Sequence, residues 1–299
     1  MKTLPNNFAV FILSHGRANH VVTQRTIRNS GYTGKVFIII DDEDPTADEY
    51  KEQFGDDNVI VFDKEATAAT FDEADNFKDR RAIVYARNAS FQIAKDLGIK
   101  YFIQLDDDYT SFVFKYDEAM IYKETPVEDL DRALCLMLDY YKSIPATSIA
   151  FAQNGDFIGG SKGKLAMNCK PMRKCMNTFI CCTDNPFQFV GRINEDVNTY
   201  THKASTGMLL LTIPNIAIIQ MQTQGNSGGM TDIYLDGGTY VKSFYSVIFS
   251  PSCVTVQDMG AKHRRLHHHV SWRHAVPCII QDRHQKPKTS HRATSTDNG

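Results

Sequence analysis

The chain has 299 residues, of which 42% are hydrophobic and 23% are charged. These proportions are typical of a globular protein and exclude disordered and fibrous classes. Its seven cysteines are odd in number and form no paired Cys-x-x-Cys spacing, which favours reduced thiols over a disulfide framework. The longest apolar runs, Phe8–Leu13 and residues 36–40, are too short to cross a bilayer, which needs about 20 residues. We therefore expect a cytoplasmic protein that does not enter a membrane.

The net charge of −2 comes from 33 basic and 35 acidic residues, and it hides an asymmetry along the chain. From Gly260 onward eight Lys and Arg accompany only two Asp, so the first 259 residues carry 25 basic and 33 acidic residues. Seven of the ten histidines also lie in the C-terminal part. An acidic body with a basic, histidine-rich end suggests one face that holds a cation and another that meets a polyanion.

Strand and helix signals alternate in the first half of the chain. The apolar and β-branched runs predict strands at residues 8–14, 36–40, 58–62 and 101–105, and the intervening patterns predict helices at 18–30, 47–54 and 82–97. This alternation predicts an α/β fold with a Rossmann-type, mostly parallel central sheet flanked by helices. In such sheets the ligand crevice lies beyond the carboxyl ends of the strands.

The second half is less regular and predicts a smaller, mixed half. Thr125-Pro126-x-Glu128 resembles a capping box that opens a helix, and Asn194 is a candidate N-cap for another. Further elements are expected as strands at 148–152, 178–182, 207–212 and 254–257 and a helix at 231–249. We divide the chain into a Rossmann-like ligand-binding half, a second half of the same domain and a flexible basic tail, at residues 1–125, 126–282 and 283–299.

Asp106-Asp107-Asp108 is the sharpest chemical feature, because three carboxylates follow a mostly apolar strand at the expected crevice. Clustered carboxylates repel one another unless a cation or a group of donors neutralises them. Carboxylate oxygens suit Mg²⁺ or Mn²⁺, particularly when a diphosphate supplies further ligands. The alternative is a solvated acidic turn. We favour a metal site.

Polar residues also follow the first two predicted strands, and two more lie on a predicted helix. Ser14-His15-Gly16-Arg17 comes after the first strand, and its arginine suits a phosphate or the edge of a base. Asp41-Asp42-Glu43-Asp44 follows the second strand, where a carboxylate can accept a hydrogen bond from a ribose or base. Arg87 and Asn88 lie one step off the apolar stripe of their helix. Each group could instead be ordinary surface.

Two later clusters complete the candidates. Glu195 and Asp196 lie in the expected first turn of a helix after Arg192, where the helix dipole alone would favour acidic residues, although one could also accept a proton from an attacking hydroxyl. The histidines within residues 263–269 can complete the coordination of a metal ion that carboxylates also bind. Alternatively, they form part of a polyanion-binding segment. By contrast, residues 159–164 lack the spacing of a phosphate-binding loop, and no G-x-G-x-x-G follows the first strand.

A strand that ends in Asp-x-Asp, a later Glu-Asp pair that opens a helix and a C-terminal histidine together resemble a GT-A glycosyltransferase. More narrowly, five blocks in this order are similar to the TET-associated glycosyltransferases, phage-type enzymes that are implied to attach sugars to hydroxymethylated pyrimidines in DNA. The blocks are Ser14–Arg17, Asp41–Asp44, Ala86–Ala89, Leu105–Tyr109 and Arg265–His268. The resemblance spans residues 8–282 and implies a GT-A-like fold.

The resemblance also implies roles for individual residues. Asp106 and Asp108 would hold Mn²⁺ or Mg²⁺, with His267 or His268 completing the metal shell. Asp196 would be the catalytic base, with Glu195 or Arg192 positioning the acceptor or donor. The UDP-sugar would be held by Ser14, Arg17, Asp42, Asp44, Arg87, Asp106 and Asp107.

The implied activity is transfer of arabinose or glucose from a UDP-sugar to the hydroxymethyl group of 5-hydroxymethylcytosine in DNA, in the host cytoplasm for a phage protein. A target base in duplex DNA would have to leave the stack, and basic residues of the tail would neutralise phosphates. Three alternatives stay open: a protein or polysaccharide acceptor, a non-catalytic nucleic-acid-binding module, and a nucleotidyltransferase with two metals.

Overall fold

A central sheet of nine strands carries the fold in the computed structural model, which describes residues 3–75, 80–220, 241–259 and 265–275. The strand order is β3-β2-β1-β4-β8-β7-β9-β5-β6, and β10 pairs with β11 in a separate ribbon. The strands are β1 Phe8–Leu13, β2 Lys35–Asp41, β3 Val59–Phe62, β4 Tyr101–Asp106, β5 Tyr109–Tyr116, β6 Tyr122–Pro126, β7 Ser148–Gln153, β8 Phe179–Cys182, β9 Leu210–Gln220, β10 Val254–Met259 and β11 Arg265–Val270.

Helices connect the strands and cover both faces of the sheet. The helices are α1 Val22–Asn29, α2 Ala47–Phe54, α3 Lys64–Ala68, α4 Val84–Asp96, α5 Leu130–Ser143, α6 Lys164–Met167, α7 Glu195–Ser205, α8 Val241–Phe249 and α9 Trp272–Ala275. None of the helices in the described ranges is long and apolar enough to cross a membrane.

The sheet confirms the predicted α/β class. Strands β3, β2, β1 and β4 are mutually parallel, and β7 is parallel to β9. Only β8 and β5 run in the opposite direction in this sheet, so seven of the nine strands share one direction. The predicted mostly parallel sheet is therefore confirmed.

Alternating side chains of β1 reach two hydrophobic cores, one on each face of the sheet. Phe8, Val10 and Ile12 pack with residues of α1, α2 and α5, whereas Ala9 and Phe11 pack with residues of α4 and α7. All six residues of β1 are buried. A strand that is covered on both faces needs this unbroken apolar run, which is why it was visible in the sequence.

The second half departs from its predicted boundaries. Thr125 does not open a helix, because it pairs with Phe114 as part of edge strand β6. Helix α5 begins at Leu130, where the side chain of the preceding Asp129 accepts a hydrogen bond from the Arg132 amide at 2.9 Å. Strand β5 pairs with β9, and β6 pairs with β5, so residues 109–126 lie at the edge of the sheet opposite β3.

Other predicted elements have shifted ends. The predicted helix over 231–249 is described from Val241 to Phe249, and its first ten residues lie outside the described residues, as does the tail 283–299. The histidine run is a strand, β11, antiparallel to β10 with Val254 opposite Val270. The six cysteines in the described part of the chain are free thiols, as expected.

Gly31 links α1 to β2 in a conformation that requires glycine. Its φ is +86°, and a Cβ at this position would lie 2.4 Å from the carbonyl oxygen of Glu128. Gly98 has a similar φ of +66°, but a Cβ there would have no neighbour within 4 Å. A side chain at Gly98 would therefore cause backbone strain alone, whereas a side chain at Gly31 would also overlap a neighbouring backbone atom.

We expect Gly98→Ala to lower the free energy of unfolding by about 1–2 kcal/mol, the cost of placing a side chain in the left-handed region. Gly31→Ala should cost about 1–3 kcal/mol more, because the methyl group must also displace backbone at the start of α5. Urea denaturation monitored by circular dichroism measures both changes. Equal destabilisation of the two variants would contradict the close approach at Gly31.

Candidate active site

Strand pairing brings the ends of β1, β2 and β4 together at one edge of the sheet. Leu13 of β1 is in register with Ile39 of β2 on one side and with Asp106 of β4 on the other. The residues that follow these strands are therefore neighbours in space, although they are far apart in sequence. This is the crevice at the carboxyl ends of parallel strands where ligands bind in α/β folds.

Asp107 is neutralised within the protein. The Ser14 hydroxyl donates to Asp107 Oδ2 at 2.5 Å, and the Arg17 guanidinium lies 3.2 Å from Oδ1. The Tyr50 hydroxyl lies 2.7 Å from Ser14 Oγ and accepts from the Arg17 amide. Burial raises the pKa of Asp107, while Arg17 and Ser14 oppose that rise. Asp107 thus ties the loop after β1 to the end of β4.

Arg87 joins two of the predicted clusters. It is 1% exposed, its Nη2 donates to Asp106 Oδ1 and its Nε donates to Glu195 Oε1, both at 3.0 Å. The guanidinium carbon also lies 4.9 Å from the centre of the Phe179 ring, a cation–π distance. Burial would lower the pKa of Arg87, but Asp106 and Glu195 outweigh it and raise the pKa. Arg87 is therefore a fully charged bridge inside the site.

Burial disfavours the charged forms of Asp106 and Asp108. Burial, and secondarily the neighbouring carboxylates, raise the pKa of Asp106 to about 7 despite Arg87. Burial and Asp107 raise the pKa of Asp108 to about 6. Within the described part of the chain, Asp108 Oδ1 is buried and has no hydrogen-bond partner. A buried acceptor without a partner costs about 1–3 kcal/mol, so a ligand that supplied a positive charge here would relieve an existing penalty.

The acidic loop after β2 holds its neighbours in place. Asp44 is buried, and its Oδ2 accepts from the Gly16 amide at 2.7 Å while its Oδ1 accepts from Thr46. Asp42 is exposed on this loop and accepts from the Lys64 amide at 2.9 Å. Asp44 therefore shapes the turn after β1, and the Asp42 side chain is exposed to solvent.

A histidine and a lysine flank Asp41 in the same loop. His15 Nδ1 lies 2.7 Å and Lys64 Nζ 2.8 Å from its carboxylate oxygens. Burial alone would raise the pKa of Asp41, but the hydrogen bonds from His15 and Lys64 outweigh it and lower the pKa. Lys64 was not predicted as part of the site; its signal in the sequence is a position two residues after the end of β3.

Helix α7 begins at the site, as predicted, but its capping differs. Asn194 precedes the helix with a φ of +61° and makes no side-chain cap. Its amide instead donates to Ser246 Oγ at 2.6 Å and lies 3.5 Å from His268 Nδ1. The expected Asn194 cap is therefore wrong. The side chain of Asn194 links α7 to α8 and β11 instead.

Asp196 carries a strongly shifted carboxyl group. It is buried, and its Oδ1 accepts from the Val197 amide at 2.7 Å. Burial, followed by the charge of Glu195, raises the pKa of Asp196 to about 7. A carboxyl group that titrates near neutrality is suited to general acid–base work.

Arg192 lies in a separate polar network. It is paired with Asp75, 2.9 Å from its Oδ2, and donates to the Tyr245 hydroxyl at 3.1 Å. Tyr245 in turn donates to Asp75. These contacts connect the approach to α7 with α8, so they position the helix that carries Glu195 and Asp196.

The predicted histidine ligands lie on β11. The rings of His267 and His268 are 4.2 Å apart, and His268 contacts Asn194 next to the start of α7. Burial, followed by the charges of His267, Lys242 and Lys174, lowers the pKa of His268 to about 4. His268 is therefore neutral at pH 7, the protonation state in which imidazole binds metals.

Asn177 is a site residue that the sequence analysis missed. Its carbonyl oxygen accepts from the Tyr109 hydroxyl at 2.9 Å and from Arg87 Nη1 at 3.4 Å. Its φ of +59° is uncommon for a residue other than glycine, and its side-chain amide donates to Gln220 at 2.6 Å. No sequence motif marks Asn177, because its role depends on the path of the chain before β8.

The described residues place Asp106, Asp108, Arg87 and Glu195 in one connected group. Across those ranges, however, no three His, Cys, Asp or Glu side chains are close enough to hold one metal ion. The fit to a dication rests instead on the unpartnered oxygen of Asp108 and the raised pKa values of Asp106 and Asp108. Two carboxylates and the diphosphate of a nucleotide would supply the oxygen ligands that Mg²⁺ or Mn²⁺ prefers.

Several solved structures are similar to the chain. A mannosyltransferase from Pyrobaculum calidifontis, in complex with GDP-Man and Mn²⁺, is 11% identical, with a TM-score of 0.44 over 73% of this chain and 58% of its own. Residues 1–349 of TarS from S. aureus, in complex with UDP, are 9% identical, with a TM-score of 0.43 over 81% and 64%.

A third similar structure is glucosyl-3-phosphoglycerate synthase from Mycobacterium tuberculosis in complex with Mn²⁺, UDP and phosphoglyceric acid. It is 8% identical, with a TM-score of 0.40 over 88% of this chain and 86% of its own. The chain thus spans less than two thirds of the first two structures. No curated protein sequence matches the chain.

The chain combines an α/β sheet with a cluster of carboxylates and one arginine at its strand ends. The sequence profile of the TET-Associated Glycosyltransferase family matches residues 8–229, most of the chain. The chain belongs to this family. The family resemblance predicted from the sequence is therefore confirmed.

Replacing Arg87 with Met should lower the free energy of unfolding by about 3–5 kcal/mol, because Asp106 and Glu195 would be left near each other without their shared cation. The double variant Arg87→Met with Glu195→Gln should recover part of this loss, because one of the two carboxylates is then neutral. Urea denaturation at pH 8 measures both variants. If Arg87→Met alone were as stable as the unmodified protein, Arg87 would not hold the site together.

Proposed function

We propose that the protein is a metal-dependent glycosyltransferase that moves a sugar, arabinose or glucose, from a UDP-sugar to the hydroxymethyl group of 5-hydroxymethylcytosine in DNA. The observation that carries the proposal is the unpartnered Asp108 oxygen beside Asp106, at a strand end that Arg87 connects to Glu195. Membership of the TET-associated glycosyltransferase family supports transfer of a sugar.

The donor would lie along the loops after β1 and β2. The Arg17 side chain is 26% exposed, so its guanidinium would contribute positive charge to a nucleotide bound here. Ser14 and Asp42 would meet the uridine, and Asp44 would hold the Gly16 amide in place for it. Asp107 would contribute by fixing Ser14 and Arg17.

Asp106 and Asp108 would hold Mn²⁺ or Mg²⁺, with His267 or His268 as a further ligand. When bound, the ion would stabilise negative charge on the departing diphosphate. Arg87 adds a fixed positive charge at the same edge and would bind the diphosphate electrostatically. Because Arg87 is already paired on both sides, it needs no reorganisation to present that charge.

Asp196 would be the base that accepts the proton of the acceptor hydroxyl. Its carboxyl group is buried and has a pKa of about 7. Near neutral pH such a group is partly ionised and still has a high affinity for a proton, as a general base requires. Glu195 would be held by Arg87, and Arg192 would position the start of α7 through Asp75 and Tyr245.

Asp108→Asn should abolish donor hydrolysis and sugar transfer while the fold is retained, because the amide keeps the shape of the side chain but removes the charge that attracts a dication. Asp96→Asn, at an exposed position of α4, is the matched control and should act like the unmodified protein. The assay follows UDP release from UDP-glucose and UDP-arabinose with Mn²⁺. Normal turnover by Asp108→Asn in the presence of a chelator would refute the metal assignment.

The acceptor is tested with labelled donor and two duplexes that differ only in a 5-hydroxymethylcytosine or a plain cytosine. Label should enter the modified duplex alone. Donor hydrolysis with label in neither duplex would instead support a protein or polysaccharide acceptor. Release of a sugar phosphate rather than UDP would identify a nucleotidyltransferase, because attack on the α-phosphorus of a UDP-sugar leaves the β-phosphate on the sugar.

The transfer rate should rise about tenfold between pH 6 and pH 8 and then level off, because Asp196 acts only as the carboxylate and its pKa is about 7. Asp196→Asn should lower the rate by roughly 10²- to 10⁴-fold and remove this rise. Steady-state rates with saturating donor across this range measure both effects. A pH profile of the same shape in Asp196→Asn would assign the base to another group.

A further inference from the structure

The connection between β7 and β8 is the most basic surface in the described part of the acidic body. Residues 157–178, which we name the basic segment, contain five Lys or Arg and no acidic residue. Lys174 pairs with Asp156, while the other four basic side chains are exposed to solvent: Lys162, Lys164, Lys170 and Arg173. None of these basic side chains has a role in the sugar transfer proposed for the candidate active site.

The basic segment is held in a defined shape. At its start Phe157 is buried and packs on the rings of Tyr116 and Tyr122. A tight turn follows, in which the Gly163 amide donates to the Gly160 carbonyl at 2.8 Å and a Cβ on Gly163 would lie 2.6 Å from the Ile158 carbonyl oxygen. The lysines on either side of Gly163 are therefore carried by an ordered turn.

The other end of the basic segment is anchored on the sheet. Met172 and Thr212 exchange two backbone hydrogen bonds, at 2.8 and 3.0 Å, and the Lys174 carbonyl accepts from the Thr212 hydroxyl at 2.7 Å. Cys175 and Thr178 are fully buried. Both ends are thus fixed, and the charged side chains project from between them.

The basic segment leads directly into the candidate active site. Asn177, which accepts hydrogen bonds from Arg87 and Tyr109, follows Lys174 by three residues, a distance that cannot exceed about 11 Å along the chain. Lys174 is also close enough to His268 for its charge to disfavour the protonated imidazole. The positive surface and the reaction centre are therefore adjacent.

We propose that the basic segment binds the phosphate backbone of the acceptor DNA through Lys162, Lys164, Lys170 and Arg173, and so presents the modified base to the active site. This inference rests on the proposed function for the identity of the acceptor. It adds a DNA-contacting surface in the folded body to the C-terminal tail that the sequence predicts.

Duplex DNA suits this surface better than a small anion does. Four exposed cations spread over twelve residues match a repeating polyanion, whereas one phosphate would need converging side chains. Apolar side chains lie among the cations: Ile158 is 82% and Met167 is 65% exposed. Proteins that unstack DNA use such apolar side chains beside their phosphate contacts, and a base inside a duplex must be unstacked before an enzyme can modify it.

The experiment compares two full-length variants with the same change in charge. The first carries Lys162→Gln, Lys164→Gln, Lys170→Gln and Arg173→Gln. The control carries Lys35→Gln, Lys51→Gln, Lys95→Gln and Arg132→Gln, on β2, α2, α4 and α5. Fluorescence anisotropy with a labelled duplex containing 5-hydroxymethylcytosine gives the affinity between 50 and 200 mM salt. UDP release without acceptor is measured in parallel.

The slope of log K against log salt concentration should become shallower by about 3–4 in the first variant, because each lost phosphate contact removes about 0.9. Its affinity at 50 mM salt should fall at least tenfold relative to the control, whereas UDP release should stay unchanged, because these residues lie outside the donor site.

An unchanged salt slope, equal losses in the two variants or tighter binding to anionic vesicles than to DNA would each overturn the proposal. Failure of the proposed function is distinguishable, because it appears as absent UDP release in the unmodified protein, whatever the binding results. Normal UDP release combined with lost DNA binding in the first variant alone supports the basic segment as the acceptor surface.

Discussion

The candidate site depends on one buried cation, Arg87, between two carboxylates. Asp106 lies at the end of β4 and Glu195 at the start of α7, and the two belong to different parts of the chain. Without a shared cation, two carboxylates in a poorly solvated site would repel each other. Arg87 places them at 3.0 Å from the same guanidinium. The same interaction therefore joins the two halves of the fold and sets the positive charge next to the crevice.

The three consecutive carboxylates at residues 106–108 have different partners, although they look alike in sequence. Asp107 is satisfied by Ser14 and Arg17, and Asp106 is partly satisfied by Arg87. Asp108 retains a buried oxygen without a partner in the described ranges. This difference arises because Asp106 ends β4, whereas Asp107 and Asp108 form the turn that leads into β5. It supports a division of labour in which Asp107 organises loops and the outer two aspartates face a ligand.

The surface charge complements this site. The acidic crevice suits a cation and a nucleotide diphosphate, while the basic segment suits a polyanion, and Asn177 connects the two. Under the proposed function, the enzyme would hold two anionic substrates, a nucleotide sugar and DNA, near one reaction centre. A basic segment separate from the acidic crevice would let the DNA bind without competition for the donor site.

The sequence alone determined the α/β class, the four parallel strands β1–β4 and the carboxylates at their ends, because fully buried strands need unbroken apolar runs that polar residues terminate. It also indicated Arg87 and the Glu195–Asp196 pair. Only the tertiary structure decided what these residues contact. The edge strand at Thr125, the Asn194 link to Ser246 and the position of Asn177 depend on partners from distant segments, and local propensity carries no information about such partners.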